Sequence, residues 1–276
     1  MAINKCYAEY AATCPIHCNL NDGTMAIVKY PNNLEGNLIL FNEFISYKIA
    51  EVIGLKVPSF GICELDGRAA FGNEYASQIK SDSNAEIITS DNFGICFYSE
   101  FIRNTMPFKP FFIRDLSNLE NFQLMIIFDH IIYNKDRHPG NILISPVENI
   151  FYAIDHSHVF KNQCIWDSIS FEQGIASNDY CDKDIVELNS DTYESIWRTK
   201  KFDIQLAKKQ AEEIQSILTP RCISDIINQL PKEWFSYISL TDLKSLEKYL
   251  NYRILNLQSV IDTIYEAKEE LFHEKN

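Results

Sequence analysis

Residues 134–144 read NKDRHPGNILI, and a second polar cluster, IDHSH, follows at 154–158. Carboxylates and an amide thus sit between apolar segments, LMIIFDHIIY before them and ILI after. If NILIS and IFYAID pair as an antiparallel hairpin across a short turn at 146–149, Asn141 at the start of one strand lies opposite Asp155 at the end of the other. Asp136, on the loop entering the same end, adds a third oxygen-bearing side chain. Three such groups at one point suit a hard cation, Mg²⁺ above all, which keeps phosphate oxygens among its ligands. The plainer alternative is a capping Asp, a turn Asn and a strand-end Asp that never meet.

A second pair lies upstream. TMAIVKY at 24–30 reads as a strand after the turn signal Asn-Asp-Gly, with Met25, Ile27 and Lys29 on one face. NLILFNEFISYKIAEVIGLKVP reads as a helix stopped by Gly54, with Pro58 just beyond. Glu43 shares its face with Ile39, Leu40, Tyr47 and Ala50, so it points inward. A buried carboxylate needs a partner, and Lys29 is the natural one. Otherwise Glu43 snorkels to water and Lys29 is an ordinary edge charge. A lysine held this way is placed to meet phosphate oxygens, as in protein kinases.

The remaining elements are coarser. Short strands are expected near 57–65 and 69–71, and a loop at 81–86 closes a first lobe. Ser117 with Glu120 forms a capping box for a helix reaching about Tyr133. From Lys200 the pattern is helical, with Thr219-Pro220 as a cap and N1 proline. One last helix from about Thr241 carries Leu243, Leu250, Leu257, Ile264 and Leu271 seven apart. Those leucines read either as a coiled-coil seam or, more simply, as a long helix packed on its own domain.

At 276 residues and 46% hydrophobic, the chain is near the size at which one core divides into lobes. A net charge of −13 disfavours direct binding to nucleic acid or to an anionic membrane. Eight scattered cysteines read as reduced thiols of a cytoplasmic protein. The first residues lack a signal-peptide core, and the longest nearly apolar run is too short to span a bilayer.

Strand lysine, helix glutamate, D-x-x-x-x-N and strand-end Asp follow the order of parts in a kinase-like phosphotransferase. N-x-D-x-H-x-x-N, then a hairpin and I-D, resembles the catalytic region of the HipA-like serine/threonine kinases of bacteria. NEFISYKIAEVIGLKVPSFGICEL resembles their N-lobe helix and the strand after it. PKEW at 231–234 and the late YLNYRILNL fit the short stand-alone members. The resemblance runs from about Ala11 to the last helix. It implies a two-lobed α+β protein-kinase-like fold: a β-rich N-lobe with one helix over 1–105, and a mainly helical C-lobe over 106–276.

It also implies roles. Asp136 would be the catalytic base, with His138 bracing its loop. Asn141 and Asp155 would hold Mg²⁺, Lys29 would contact the α- and β-phosphates of ATP, and Glu43 would orient Lys29. Tyr75 and Ser77 would fall in the adenine-contacting connection. The family's phosphate loop aligns with ATCPIHC at 12–18, which has no glycine; Thr13 is its nearby hydroxyl. The expected reaction is transfer of the γ-phosphate of MgATP to a protein hydroxyl, and a small DNA-binding antitoxin is a partner by family analogy. Other readings stay open. DRHPGN followed by IDHSHVF is also similar to phosphatidylinositol kinases, which would make the acceptor a lipid. The missing glycines suit a pseudokinase that binds without transfer. Asp136, His138, Asp155, His156 and His158 would serve a metal-dependent phosphohydrolase, and Cys14, His17 and Cys18 would serve a zinc ion.

Overall fold

The computed structural model describes all residues except 2, 9–14, 67, 69, 72–87 and 274–276. Strands β1 (Ile3–Ala8), β2 (Ile16–Leu20), β3 (Met25–Lys29), β4 (Phe60–Leu65), β5 (Ala70–Phe71) and β6 (Gly94–Glu100) form one sheet in the order β4-β6-β3-β2-β1-β5. Every neighbouring pair is antiparallel except β1 with β5. The turn between β2 and β3 is the expected one: Gly23 has φ +90, and Thr24 N donates to Asp22 Oδ1 at 2.9 Å. β6 carries no alternating signal, because both of its faces are covered: Cys96 and Tyr98 are buried on one and Phe97 on the other. Its Tyr98 ring packs so close to Gly61 of β4 that a Cβ there would stand 3.0 Å from it.

Helix α1 (Leu38–Val52) connects β3 to β4 and buries eleven of its fifteen residues, so it is covered nearly all round. Gly54, with φ +76, ends it, and Leu55 N closes back on Ala50 O at 2.9 Å. One face of the sheet holds a small core of its own, including Ala26, Val28, Cys63, Leu65 and Tyr98. The main core instead runs from α1 through the whole C-terminal part.

That part begins with β7 (Met106–Pro107), which pairs with β8 (Ile142–Ser145); β8 pairs in turn with β9 (Ile150–Ala153). Helix α2 (Asn121–Ile131) lies behind this ribbon with ten of its eleven residues buried. It does not use the expected capping box. Ser117 gives both its N and Oγ to Asn149 O at 2.8 and 3.0 Å, and Glu120 pairs with Lys200. The hairpin turn has taken the serine, so the helix starts later, at Asn121.

Helices α3 (Ser168–Ala176), α4 (Asp184–Leu188), α5 (Ser190–Thr199), α6 (Ile204–Ile217) and α7 (Pro220–Ile227) follow. Thr219 caps α7 through Cys222 N at 3.3 Å, with Pro220 first in the helix as expected. The expected single last helix is two, α8 (Leu240–Leu255) and α9 (Leu257–His273). The break at Asn256 is satisfied by side chains: Asn256 Nδ2 donates to Tyr252 O, and Gln215 Nε2 donates to Ile254 O and Leu255 O. Leu243, Leu250, Leu257 and Ile264 are buried in the chain's own core, which favours the packed-helix reading over a seam.

Trp234 joins the two parts. It is fully buried, its ring lies 5.6 Å from Phe41 and 6.1 Å from Phe44 of α1, and Nε1 donates to Ile95 O of β6 at 2.7 Å. Trp234→Ala is expected to lower the unfolding free energy by about 3–5 kcal/mol. Trp234→Phe, which keeps the ring and loses the hydrogen bond, should cost about 1–3 kcal/mol. Urea titration followed by circular dichroism measures both.

Candidate active site

Alternation along β3 sends Ala26 and Val28 into the small core and leaves Ile27 and Lys29 facing a cavity on the other side. An ammonium buried there requires opposite charge. Lys29 Nζ lies 3.5 Å from Glu43 Oε1 and 3.3 Å from Asp155 Oδ1, and donates to Ser157 Oγ at 2.9 Å. Ser157 Oγ donates onward to Glu43 Oε1 at 2.7 Å, while His156 N donates to Glu43 Oε2 at 3.2 Å. α1 is itself tied to the same segment. Asn42 Nδ2 donates to Ser157 O at 2.6 Å, and Asn42 Oδ1 accepts from Trp166 Nε1 at 2.7 Å. Strand, helix and the chain after β9 therefore meet at one lysine.

The three charges differ in setting. Burial opposes the Lys29 charge, but Asp155 and Glu43 outweigh it and raise the pKa. Burial pushes Glu43 up to about 7, against the pull of Lys29. Burial would also raise Asp155, but Lys29 and the Ser157 hydrogen bond hold that carboxyl below its ordinary value.

Asp136 stands at the cavity mouth. Its N donates to Asn134 Oδ1 at 2.9 Å, its carbonyl accepts from Asn141 Nδ2 at 2.8 Å, and its half-exposed carboxylate faces the cavity, with Oδ2 3.9 Å from His158 Nδ1. With the amide nitrogen of Asn141 spent on that carbonyl, Oδ1 is its atom for a cation. Strand register corrects the expected pairing. Ile142 faces Ala153, and Ile154 N donates to Asn141 O at 3.1 Å, so Asn141 lies opposite Ile154. Asp155 is one residue further, at φ +53, and its carboxylate still reaches Lys29. The cavity, about 420 Å³, is lined by Lys29, Glu43, Asp136, Asn141 and Asp155 among others. That volume is within the range of small-ligand sites, about 300–1,000 Å³.

Sequence reasoning missed what anchors this loop. Arg137 and Asp129 are both fully buried. Arg137 Nε and Nη2 bond to the Asp129 carboxylate at 2.8–3.2 Å, and Nη1 donates to Asn141 O at 2.8 Å and Ile154 O at 3.0 Å. Asn134 Nδ2 and Tyr193 OH also donate to Asp129, at 2.8 and 2.9 Å. Asn189 completes the network, accepting from Arg137 N and donating to Asn134 O, both at 2.8 Å. An arginine beside Asp136, eight residues after a helical Asp in an apolar run, was the one readable sign; Asn189 and Tyr193 gave none.

Other expected residues are placed differently. His138 is exposed at the rim, and its Nδ1 accepts from Gly140 N at 3.0 Å, which braces its own turn. Thr13, Tyr75 and Ser77 lie outside the described residues, as does Cys14. Residues 16–18 of the segment aligned with a phosphate loop belong to β2, where His17 and Cys18 point to opposite faces as neighbours on a strand must. His156 does not join a metal set with Asp136. It is buried between the rings of Tyr47 and Phe128, at 5.2 and 5.3 Å, and neither ring nitrogen has a hydrogen-bond partner among the described residues. Burial, then the Arg137 charge, keeps it well below the usual imidazole pKa and neutral.

A strand lysine bonded to a helix glutamate, facing a loop Asp and Asn beside a hairpin whose end supplies a second Asp, is the arrangement of a kinase. The model of the HipA-like kinase family matches residues 3–260, and the chain belongs to that family. Among solved structures, the proinflammatory kinase CtkA of Helicobacter pylori matches with a TM-score of 0.51 at 14% identity, over 96% of each chain. That likeness shows the shared two-lobed α+β kinase-like fold. The Golgi casein kinase matches with a TM-score of 0.47 at 11% identity, over 97% of this chain and 74% of that one. Its form with Mn/ADP bound gives 0.48 at 12% identity, over 98% and 74%. A search of curated proteins finds no match. Among the described residues, no helix is long and apolar enough to cross a membrane.

Removing Asp129 strands a guanidinium away from water, so Asp129→Ala should cost about 3–5 kcal/mol in urea titrations. Glu43 predicts a pH dependence. Its carboxyl takes up a proton at about 7 when folded, against 4.5 for the ordinary group. Between those values the folded chain binds more protons than the unfolded one, so this group's contribution is full below about pH 4.5 and fades as pH rises through about 7. Glu43→Gln should flatten that decline relative to the wild type in unfolding measured across the same range.

Proposed function

We propose that this chain is an ATP-dependent phosphotransferase that moves the γ-phosphoryl group of MgATP to a serine or threonine hydroxyl of a protein. The observation that carries the reading is Lys29, held between Glu43 and Asp155 at the back of a cavity whose mouth carries Asp136 and Asn141. The proposed lobes, 1–105 and 106–276, would close over the nucleotide between β3 and the hairpin.

The oxygen donors fit a hard divalent cation: the Asn141 amide oxygen and the Asp155 carboxylate, with no sulfur or imidazole in the pair. Asn141 and Asp155 would hold Mg²⁺, which when bound supplies charge neutralisation for the phosphates. Lys29 would contact the α- and β-phosphates, with Glu43 and Ser157 fixing its ammonium. Asp136 would accept the proton of the acceptor hydroxyl as its oxygen bonds to the γ-phosphorus and the bond to ADP breaks. Arg137 would act indirectly, holding the loop through the carbonyls of Asn141 and Ile154. Rate would come from positioning and charge neutralisation.

Incubation with γ-labelled ATP and Mg²⁺ in a lysate, followed by mass spectrometry, tests the reading. Label is expected on protein serine or threonine, reduced about 10²–10⁴-fold by Asp136→Asn and abolished by Asp155→Ala, with unchanged circular dichroism. Full transfer by either variant would refute the assignment. Label on lipid would favour the phosphoinositide-type alternative, and MgATP binding without transfer the pseudokinase.

A further inference from the structure

Next to the cation site lies a second group of different chemistry. Glu35, on the loop between β3 and α1, faces His158 and Cys164 from the segment after β9. The ligand atoms of the three lie within 4.8 Å of one another. Glu35 Oε2 and His158 Nε2 are 3.4 Å apart. A tetrahedral zinc with bonds of about 2.0–2.2 Å to nitrogen and oxygen separates the two by roughly 3.4 Å, so that edge is already set. Cys164 Sγ rests 3.4 Å from Ser157 O, a weak contact it can exchange for a metal by a small side-chain rotation. Cys164 is buried, while Glu35 and His158 are partly exposed, which leaves the open coordination position on the solvent side.

The donor set decides the ion. A thiol, an imidazole and one carboxylate are poor ligands for Mg²⁺ or Ca²⁺ and good ones for Zn²⁺, Co²⁺ or Fe²⁺. The second nitrogen of the same imidazole adds an independent observation: His158 Nδ1 lies 3.9 Å from Asp136 Oδ2. A metal-bound histidine commonly gives its other N–H to a carboxylate, which fixes the ring and strengthens the ligand. Here that carboxylate is the one at the cavity mouth.

We propose that Glu35, His158 and Cys164 form a zinc-class transition-metal site with one open position, coupled through the His158 ring to the carboxylate of Asp136. Metal at Nε2 fixes the proton on Nδ1, and the 3.9 Å gap to Asp136 closes to a hydrogen bond. Only one further consequence rests on the phosphotransferase reading. An occupied site then competes with the acceptor hydroxyl for Asp136, so zinc restrains transfer.

Cobalt reports the site without any enzymatic assay. Metal-free wild-type protein titrated with Co²⁺ should develop visible bands of tetrahedral cobalt and a thiolate-to-cobalt charge-transfer band, and excess Mg²⁺ should not remove them. Cys164→Ser should lose the charge-transfer band, and His158→Ala, at a partly exposed position, should lose both sets. Asp136→Asn should keep the spectrum and bind Co²⁺ about 10–100-fold more weakly. Thermal unfolding of each metal-free variant checks that it is folded. No tetrahedral bands in the wild type, or an unchanged charge-transfer band in Cys164→Ser, would overturn the site; undiminished affinity in Asp136→Asn would overturn the coupling. In the labelling assay, zinc should slow the wild type and spare Cys164→Ser. Absence of transfer by every form would count against the phosphotransferase alone, since the cobalt spectra stand apart from turnover.

Discussion

A guanidinium and a carboxylate that water does not reach set the terms for the functional half of this molecule. Moving such charges out of water costs several kcal/mol per ion, and pairing offsets that only when the remaining donors and acceptors are also filled. Arg137 meets the condition through Asp129 on one side and the carbonyls of Asn141 and Ile154 on the other. The rigid fork of the guanidinium fixes where those carbonyls stand. The mouth of the β8–β9 ribbon, the loop before it and helix α2 are thereby one unit. Asp136 can keep a half-exposed carboxylate because its neighbour in sequence supplies the anchorage.

Charge balance in the cavity follows a second logic. Among the described residues, Glu43, Glu100, Asp136 and Asp155 line it against the ammonium of Lys29. A polyphosphate entering such a place meets net negative charge, in a chain that is negative overall. A divalent ion between the oxygens of the protein and those of the phosphate would reverse the sign. Depth separates the two carboxylates on Lys29. The Glu43 side chain is 2% exposed and backs the ammonium, whereas that of Asp155 is 33% exposed and stands in front, where an incoming cation would find it.

The sequence was most readable where chemistry and local pattern coincide. Lys29 and Glu43 followed from strand alternation and helical periodicity, and Asp136, Asn141 and Asp155 from motif and hairpin. It was least readable where tertiary context overrides local signal. β6 has no period of two because both of its faces are covered, Cys96 and Tyr98 in the small core and Phe97 in the main one. Ser117 looked like a cap until the turn at Asn149 claimed both of its donors. The heptad-like leucines continue through Asn256, but the backbone does not, since Gln215 from a different helix satisfies the carbonyls at the break. Asn189 lies 52 residues beyond Arg137 and Tyr193 lies 64 beyond Asp129, and no local pattern marks either.

Trp234 carries an implication for how the chain is made. Synthesis delivers α1 and the strands around it first, yet the Phe41 and Phe44 rings of α1 and the Ile95 carbonyl all meet a residue 139 positions beyond Ile95. Until that indole leaves the ribosome, the Phe41 and Phe44 rings of α1 lack one of the partners that cover them. The burial of α1 is thus completed only when the later helices dock, which couples the folding of the two parts.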